Sequence, residues 1–171
     1  MRQAETKLVT GEQMARIDAK AIEGGIPGAQ LMEEAGRGAF RVMRQLLGEV
    51  PGRKLAVLCG KGNNGGDGFV VARLAAESGS VAKCFLFAPR SDVLNDARHH
   101  LDLAEQSGVA VKEILSESNL TDAGSEIHAS HLIVDALLGT GAKGPVRGLF
   151  ETAIRLLENV AAPVLALDVP S

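Results

Sequence analysis

The sequence predicts an α/β fold: a doubly wound, Rossmann-like parallel sheet with helices on both faces, preceded by two N-terminal helices. Three observations carry this expectation. From Leu55 onward, short apolar runs alternate with segments of helical periodicity. The runs are apolar throughout, as in strands covered on both faces. Polar, glycine-rich segments follow some of these runs, where doubly wound sheets place their ligand-binding loops.

The elements follow in order. Thr10-Gly11-Glu12-Gln13 fits a Thr-x-x-Gln capping box, and Met14, Ile17 and Ala21 continue at helical spacing. A Gly24-Gly25-Ile26-Pro27 break opens a second helix with Leu31, Ala35, Ala39, Val42 and Leu46 on one stripe. Strands are expected at Leu55–Cys59, Val81–Phe87, Val109–Ile114, Leu132–Leu137 and Pro163–Leu167. Between them lie helices over Phe69–Ala76, around Val93, Ala97, Leu101 and Ala104, near Leu120–His128, and around Leu149, Ala153, Ile154, Leu157 and Val160. Right-handed crossovers then give the doubly wound sheet. Residues 1–171 read as one domain. Asp168-Val169-Pro170-Ser171 follows the last strand with nothing after it, so truncation at the C-terminus is expected.

Composition narrows the function. There are 20 Gly and five Phe but no Tyr and no Trp. Dehydrogenases that use a Tyr-Lys pair are excluded, and a base-stacking nucleic-acid platform is disfavoured. The net charge of −3 also argues against nucleic acid and anionic membranes. No apolar run approaches a membrane span, and Met1 to Thr10 lacks the apolar segment of a secretory signal. Cys59 and Cys84 lie in apolar runs and read as buried reduced thiols.

Three segments fall at the carboxyl ends of strands: Gly60 to Gly68, Asp135 to Gly148, and Asp168 to Ser171. The first contains Gly60-x-Gly62-x-x-Gly65, a weak dinucleotide signal in a strand–turn–helix setting. Its backbone N–H groups and the following helix suit a phosphate or another anion. The usual acid after the second strand is missing; Ala88-Pro89-Arg90 stands there. Arg90 is a candidate for a 2′-phosphate, although the extra polarity of Asn63, Asn64 and Asp67 points to a turn of another kind. Asp135 and Asp168 each end an apolar run and are expected on one rim. One such carboxylate can bind a cation while another exchanges protons. Each can also simply cap its loop. His99 and His100 read as a solvated helix face, and Met14, Met32 and Met43 as core. His128 and His131 lack partners at ligand spacing, and Ser171 has no neighbouring His for a triad.

Taken together these residues resemble the NAD(P)H-hydrate epimerases. The resemblance rests on Asn63-Asn64-Gly65-Gly66-Asp67-Gly68, on Leu31-Met32-Glu33-Glu34-Ala35-Gly36 in the second helix, on Asp135 to Gly141, and on Asp168-Val169-Pro170-Ser171. It runs from about Thr10 to Ser171.

The resemblance implies an isomerase of nicotinamide nucleotide repair. Its substrate would be NADH or NADPH hydrated at C6 of the nicotinamide ring (NADHX, NADPHX), whose R and S forms it interconverts. Carried over by motif, Asn63, Asn64, Gly65, Gly66 and Asp67 would bind the dinucleotide, with Gly139, Thr140, Gly141, Ala142, Lys143, Gly144, Pro145 and Asp168. Asn64, Asp135 and Ser171 would hold a potassium ion, and Asp168 would be the acid/base group. Lys143 and Arg147 are candidates for phosphate contact or plain solvated cations. An ADP- or ATP-dependent dehydratase would be the functional partner, the chain a homodimer, and the location cytoplasmic. The alternative of another class is a non-catalytic dinucleotide-binding or protein-interaction scaffold of the same fold.

Overall fold

In the computed structural model the described residues are 10–142 and 144–171. Helix α1 (Gly11–Glu23) opens with the expected capping box. The Gln13 N–H donates to Thr10 Oγ1 at 3.2 Å, and the Thr10 N–H donates to Gln13 Oε1 at 2.8 Å. Helix α2 (Gly28–Leu47) follows, and then β1 (Lys54–Cys59), α3 (Asn63–Glu77), β2 (Val81–Leu86), a 3-10 turn (Arg90–Asp92), α4 (Asn95–Gln106) and β3 (Ala110–Glu113). Helix α5 (Glu117–His128), β4 (Leu132–Ala136), α6 (Leu149–Leu157) and β5 (Val164–Ala166) complete the order.

All strand pairs are parallel, in the order β3-β2-β1-β4-β5. The central strands are buried from end to end, apart from Lys54 at the start of β1. Alternation of their side chains divides the interior into two layers. Val57, Cys59, Cys84, Leu86 and Val134 face α2, α3 and α4. Ala56, Leu58, Phe85, Phe87 and Ile133 face α5 and α6. This is the distribution that right-handed crossovers require.

Helix α3 is hemmed in on most sides, and Phe69, Val70, Val71, Ala72 and Ala75 are all fully buried. It starts at Asn63, six residues before the apolar stretch that marks it in the sequence. Its first turn is polar and glycine-rich, so periodicity is silent there. Helix α2 grips it through the Leu31–Gly36 motif. A Cβ on Gly66 would meet the Met32 sulfur, and one on Gly36 would overlap Val70. Glu33 reaches across to Arg73 at 2.7 Å. Burial raises the Glu33 carboxyl, but the hydrogen bond and charge of Arg73, with Arg37 and His100, outweigh it and hold the carboxyl below its ordinary value.

Several side chains depart from expectation. The inward face of α2 is Met32, Gly36 and Met43, while Val42 and Leu46 of the expected stripe point outward. Met14 is exposed, not core, because α1 buries none of its residues. His99 is exposed, but His100 is buried, with Nε2 2.9 Å from the Ala29 carbonyl and Nδ1 3.7 Å from Glu33. The tight packing of α4 on α2 encloses it. His131 accepts the Lys54 N–H on Nδ1 at 2.9 Å and braces the start of β1. Cys59 and Cys84 are free and buried, as expected. Burial, then the adjacent Cys84, pushes the Cys59 thiol up and leaves it inert. Among the described residues no helix is long and apolar enough to cross a membrane.

Candidate functional site

The site forms where β1 and β4 end side by side, the position at which a sheet of this order opens a crevice. The Gly60 N–H donates to the Ala136 carbonyl at 2.9 Å and ties the two strand ends together. The chain then turns through Gly62 into α3. The first intrahelical bond is Gly66 N–H to Gly62 carbonyl at 3.0 Å, which leaves the N–H groups of Asn63, Asn64 and Gly65 outside the helix's own bonding. These groups and the positive helix end suit a negatively charged ligand.

The glycines here mostly serve protein packing. A Cβ on Gly65 would overlap the Gly60 carbonyl, and one on Gly68 would lie 2.8 Å from Ala136 Cβ and 3.0 Å from Cys59 Sγ. Only at Gly62 in this segment is the space open. Gly65 and Gly66 therefore present backbone, not a cavity, to any ligand.

Asn64 lies on the inner side of the turn. Its Nδ2 donates to the Leu138 carbonyl at 2.7 Å, while its buried Oδ1 has no hydrogen-bond partner. Asp135 is 4% exposed. Its Oδ1 accepts the Ser171 hydroxyl at 2.8 Å and the Leu137 N–H at 3.2 Å, and its Oδ2 accepts the Ser171 N–H at 2.9 Å. Ser171 Oγ also accepts the Leu138 N–H at 3.0 Å. The fold thus draws Asn64, Asp135 and Ser171 into one knot through the Leu138 backbone. The donors are amide, carboxylate, hydroxyl and carbonyl oxygens, the set a hard cation takes. An orphaned buried Oδ1 in such a set fits a cation such as potassium.

Asp168 stands above this knot with φ 65°, in the left-handed region. Its Oδ2 accepts the Thr140 N–H at 2.8 Å. Gly139 is wedged between it and Asn64: a Cβ there would lie 2.9 Å from Asp168 Oδ2 and 3.2 Å from Asn64 Cβ. Asp168 is exposed, so its carboxylate is open to a ligand. Asp67, one turn along α3, is largely buried. Burial, then the charges of Asp168 and Asp18, pushes its carboxyl up to about 7. A proton-holding carboxyl beside an exposed one is an arrangement suited to proton transfer.

Beyond Gly139 the described residues of the segment up to Gly148 are exposed, Gly141, Ala142, Gly144, Pro145 and Arg147 among them. Lys143 lies outside the described residues. Sequence reading missed two contributors. One is the Leu138 backbone, which carries no residue-type signal. The other is α1: a Cβ on Gly11 would lie 2.9 Å from Thr140 Cβ, and Asp18 acts on Asp67. Arg90, a candidate for a 2′-phosphate, is committed elsewhere. Its guanidinium bonds the Val111 carbonyl at 2.6 Å and Glu105 at 3.1 Å, and it sits 3.7 Å from Glu113, bracing β3 and α4.

A parallel sheet of this order, with a glycine-rich helix start and an oxygen-lined knot at its rim, defines an α/β protein of Rossmann-like class. The comparisons are more specific. The family model described as YjeF-related protein N-terminus matches residues 28–171. The chain belongs to that family. It is 39% identical to a bifunctional NAD(P)H-hydrate repair enzyme of Moorella thermoacetica over 96% of this chain and 31% of that protein. It is 36% identical to an NAD(P)H-hydrate epimerase of Rhodopirellula baltica over 95% of this chain and 64% of that protein. The chain therefore spans about a third and under two thirds of these relatives' lengths. The crystal structure of yeast ynu0 (YNL200c) superposes with a TM-score of 0.81 at 26% identity, over 97% of this chain and 71% of that one.

Proposed function

We propose that the chain is an NAD(P)H-hydrate epimerase, an isomerase that interconverts the R and S forms of C6-hydrated NADH and NADPH. The observation that carries this reading is the Asp168 carboxylate held at the crevice by Thr140 N–H, with only Gly139 between it and Asn64 of the Asn64–Asp135–Ser171 knot. The names of the relatives supply the substrate class.

The hydrated ring carries a hydroxyl on the carbon next to its nitrogen. Inverting that carbon requires its C–O bond to break and re-form. A group protonates the hydroxyl, which leaves as water while the ring nitrogen's lone pair forms an iminium, and water then adds to the opposite face and returns the proton. Asp168 is that group in this reading, and Asp67 is the neighbouring proton holder. The free N–H groups at the start of α3 meet the diphosphate, and the residues of the Gly139–Pro145 segment bind the dinucleotide. Asn64, Asp135 and Ser171 hold a potassium ion, which supplies fixed positive charge near the substrate's anionic groups. A dehydratase acting on one epimer is the functional partner. A cytoplasmic location and a homodimer belong to the same reading.

The test is NMR of the separated C6 epimers with and without the protein. Faster R/S exchange with protein supports the proposal. Binding of the dinucleotide without faster exchange selects the scaffold alternative instead.

A further inference from the structure

In sheets of this strand order an acid beyond the second strand hydrogen-bonds the adenosine ribose, while a cation there accepts a 2′-phosphate. The sequence shows only Ala88-Pro89-Arg90 immediately after that strand. The structure changes what stands there. The Arg90 N–H donates to Glu113 Oε1 at 2.7 Å and its guanidinium bonds the Val111 carbonyl, so Arg90 turns toward β3. The 3-10 turn then carries the chain round to Asp92, whose Oδ2 lies 3.6 Å from Nζ of Lys61 in the glycine turn. Both side chains are exposed. Val93 is buried and anchors the segment, and Leu94 is turned outward with 62% exposure. An acid, a cation and an exposed apolar side chain are thus grouped beside the ends of β1 and β2.

We propose that Asp92, Lys61 and Leu94 form the adenosine end of a dinucleotide subsite, and that Asp92 makes it select a free ribose 2′-hydroxyl over a 2′-phosphate. This rests on the dinucleotide reading above and adds a preference for NADH hydrate over NADPH hydrate. The carboxylate accepts the paired ribose hydroxyls, Leu94 lies against the adenine, and Lys61 meets the adjoining diphosphate. A 2′-phosphate would bring roughly 1.5–2 further negative charges against Asp92. The nearby arginines are already engaged. Arg98 pairs with Asp102 at 2.8 Å and Arg90 with Glu105 at 3.1 Å.

The test is calorimetric binding of ADP-ribose and of its 2′-phosphorylated form to the parent chain and to Asp92→Asn. Neither ligand has a nicotinamide ring, so the result is separable from any outcome on epimerisation. The expected result is about tenfold tighter binding of ADP-ribose by the parent, narrowing to within about twofold in Asp92→Asn. Circular dichroism of the variant checks that this exposed substitution leaves the fold intact. Equal binding of the two ligands by the parent, binding of neither, or an unchanged ratio in Asp92→Asn overturns the proposal.

Discussion

The Ser171 hydroxyl donates to Asp135 Oδ1 at 2.8 Å, and the two residues are joined a second time by Ser171 N–H to Asp135 Oδ2 at 2.9 Å. Strand β4 and the segment beyond β5 are thereby fastened at the crevice, and the orphaned Oδ1 of Asn64 belongs to the same knot.

Potassium is expected to raise the melting temperature of the parent chain. A ligand that binds only the folded state at about 100 times its Kd adds about 2.7 kcal/mol. Asn64→Ala and Asp135→Asn should each lose that response, with choline as the control cation. Thermal scans over a potassium series check this, and a variant that responds like the parent contradicts the ligand assignment.

Asp168→Asn should slow epimerisation by about 10²–10⁴-fold, equivalent to about 3–5.5 kcal/mol of barrier. The fold should survive. Asn tolerates the left-handed conformation at φ 65°, and its side-chain oxygen can still accept the Thr140 N–H. Exchange rates measured on the two epimers decide the matter; a parent-like rate removes Asp168 from the acid/base role.

Stability should fall as pH rises between about 4 and about 7. Asp67 is pushed from 3.8 up to about 7 by burial and by Asp168 and Asp18. Across that interval the unfolded chain has released a proton that the folded chain still binds, so raising the pH favours unfolding. Above about 7 the penalty is complete; below about 4 it is absent. Asp67→Asn carries no such charge. Its melting temperature should match the parent at pH 4 and exceed it by about 10 °C at pH 8. Parallel pH profiles that coincide would refute this account.

Gly65→Ala should cost about 2–4 kcal/mol, because the added methyl overlaps the Gly60 carbonyl and backbone must move. Gly62→Ala, three residues earlier, meets nothing within 4 Å and should cost less than about 1 kcal/mol. Urea unfolding of the pair checks the contrast.

The strands were legible because most of their residues are apolar, with Lys83, Lys112 and Glu113 as interruptions on β2 and β3, and their alternation with helices gave the sheet and its crossovers. The start of α3 was not, since its first turn is Asn and Gly and carries no period. The inward face of α2 was misplaced because Gly36 packs as tightly as any large side chain yet counts for nothing in a hydrophobic stripe. His100 looked solvated beside charged neighbours, but burial there depends on α2, which is distant in sequence. Asn64, Asp135 and Ser171 were legible as a group only through the family resemblance, and the structure brings them together. The Leu138 carbonyl that joins them has no residue type to announce it. Asp92 escaped notice because a 3-10 turn, not a strand, carries it back toward Lys61.

Helix α1 touches the crevice through Gly11 at Thr140 yet buries none of its own residues, and Met14 and Ile17 stay about half exposed. Its opening free energy is therefore far below that of the sheet. Its amides should exchange with deuterium long before those of β1 and β4. The crevice is bordered by a helix that buries none of its own residues, so admission of a ligand need not disturb the strands that build the site.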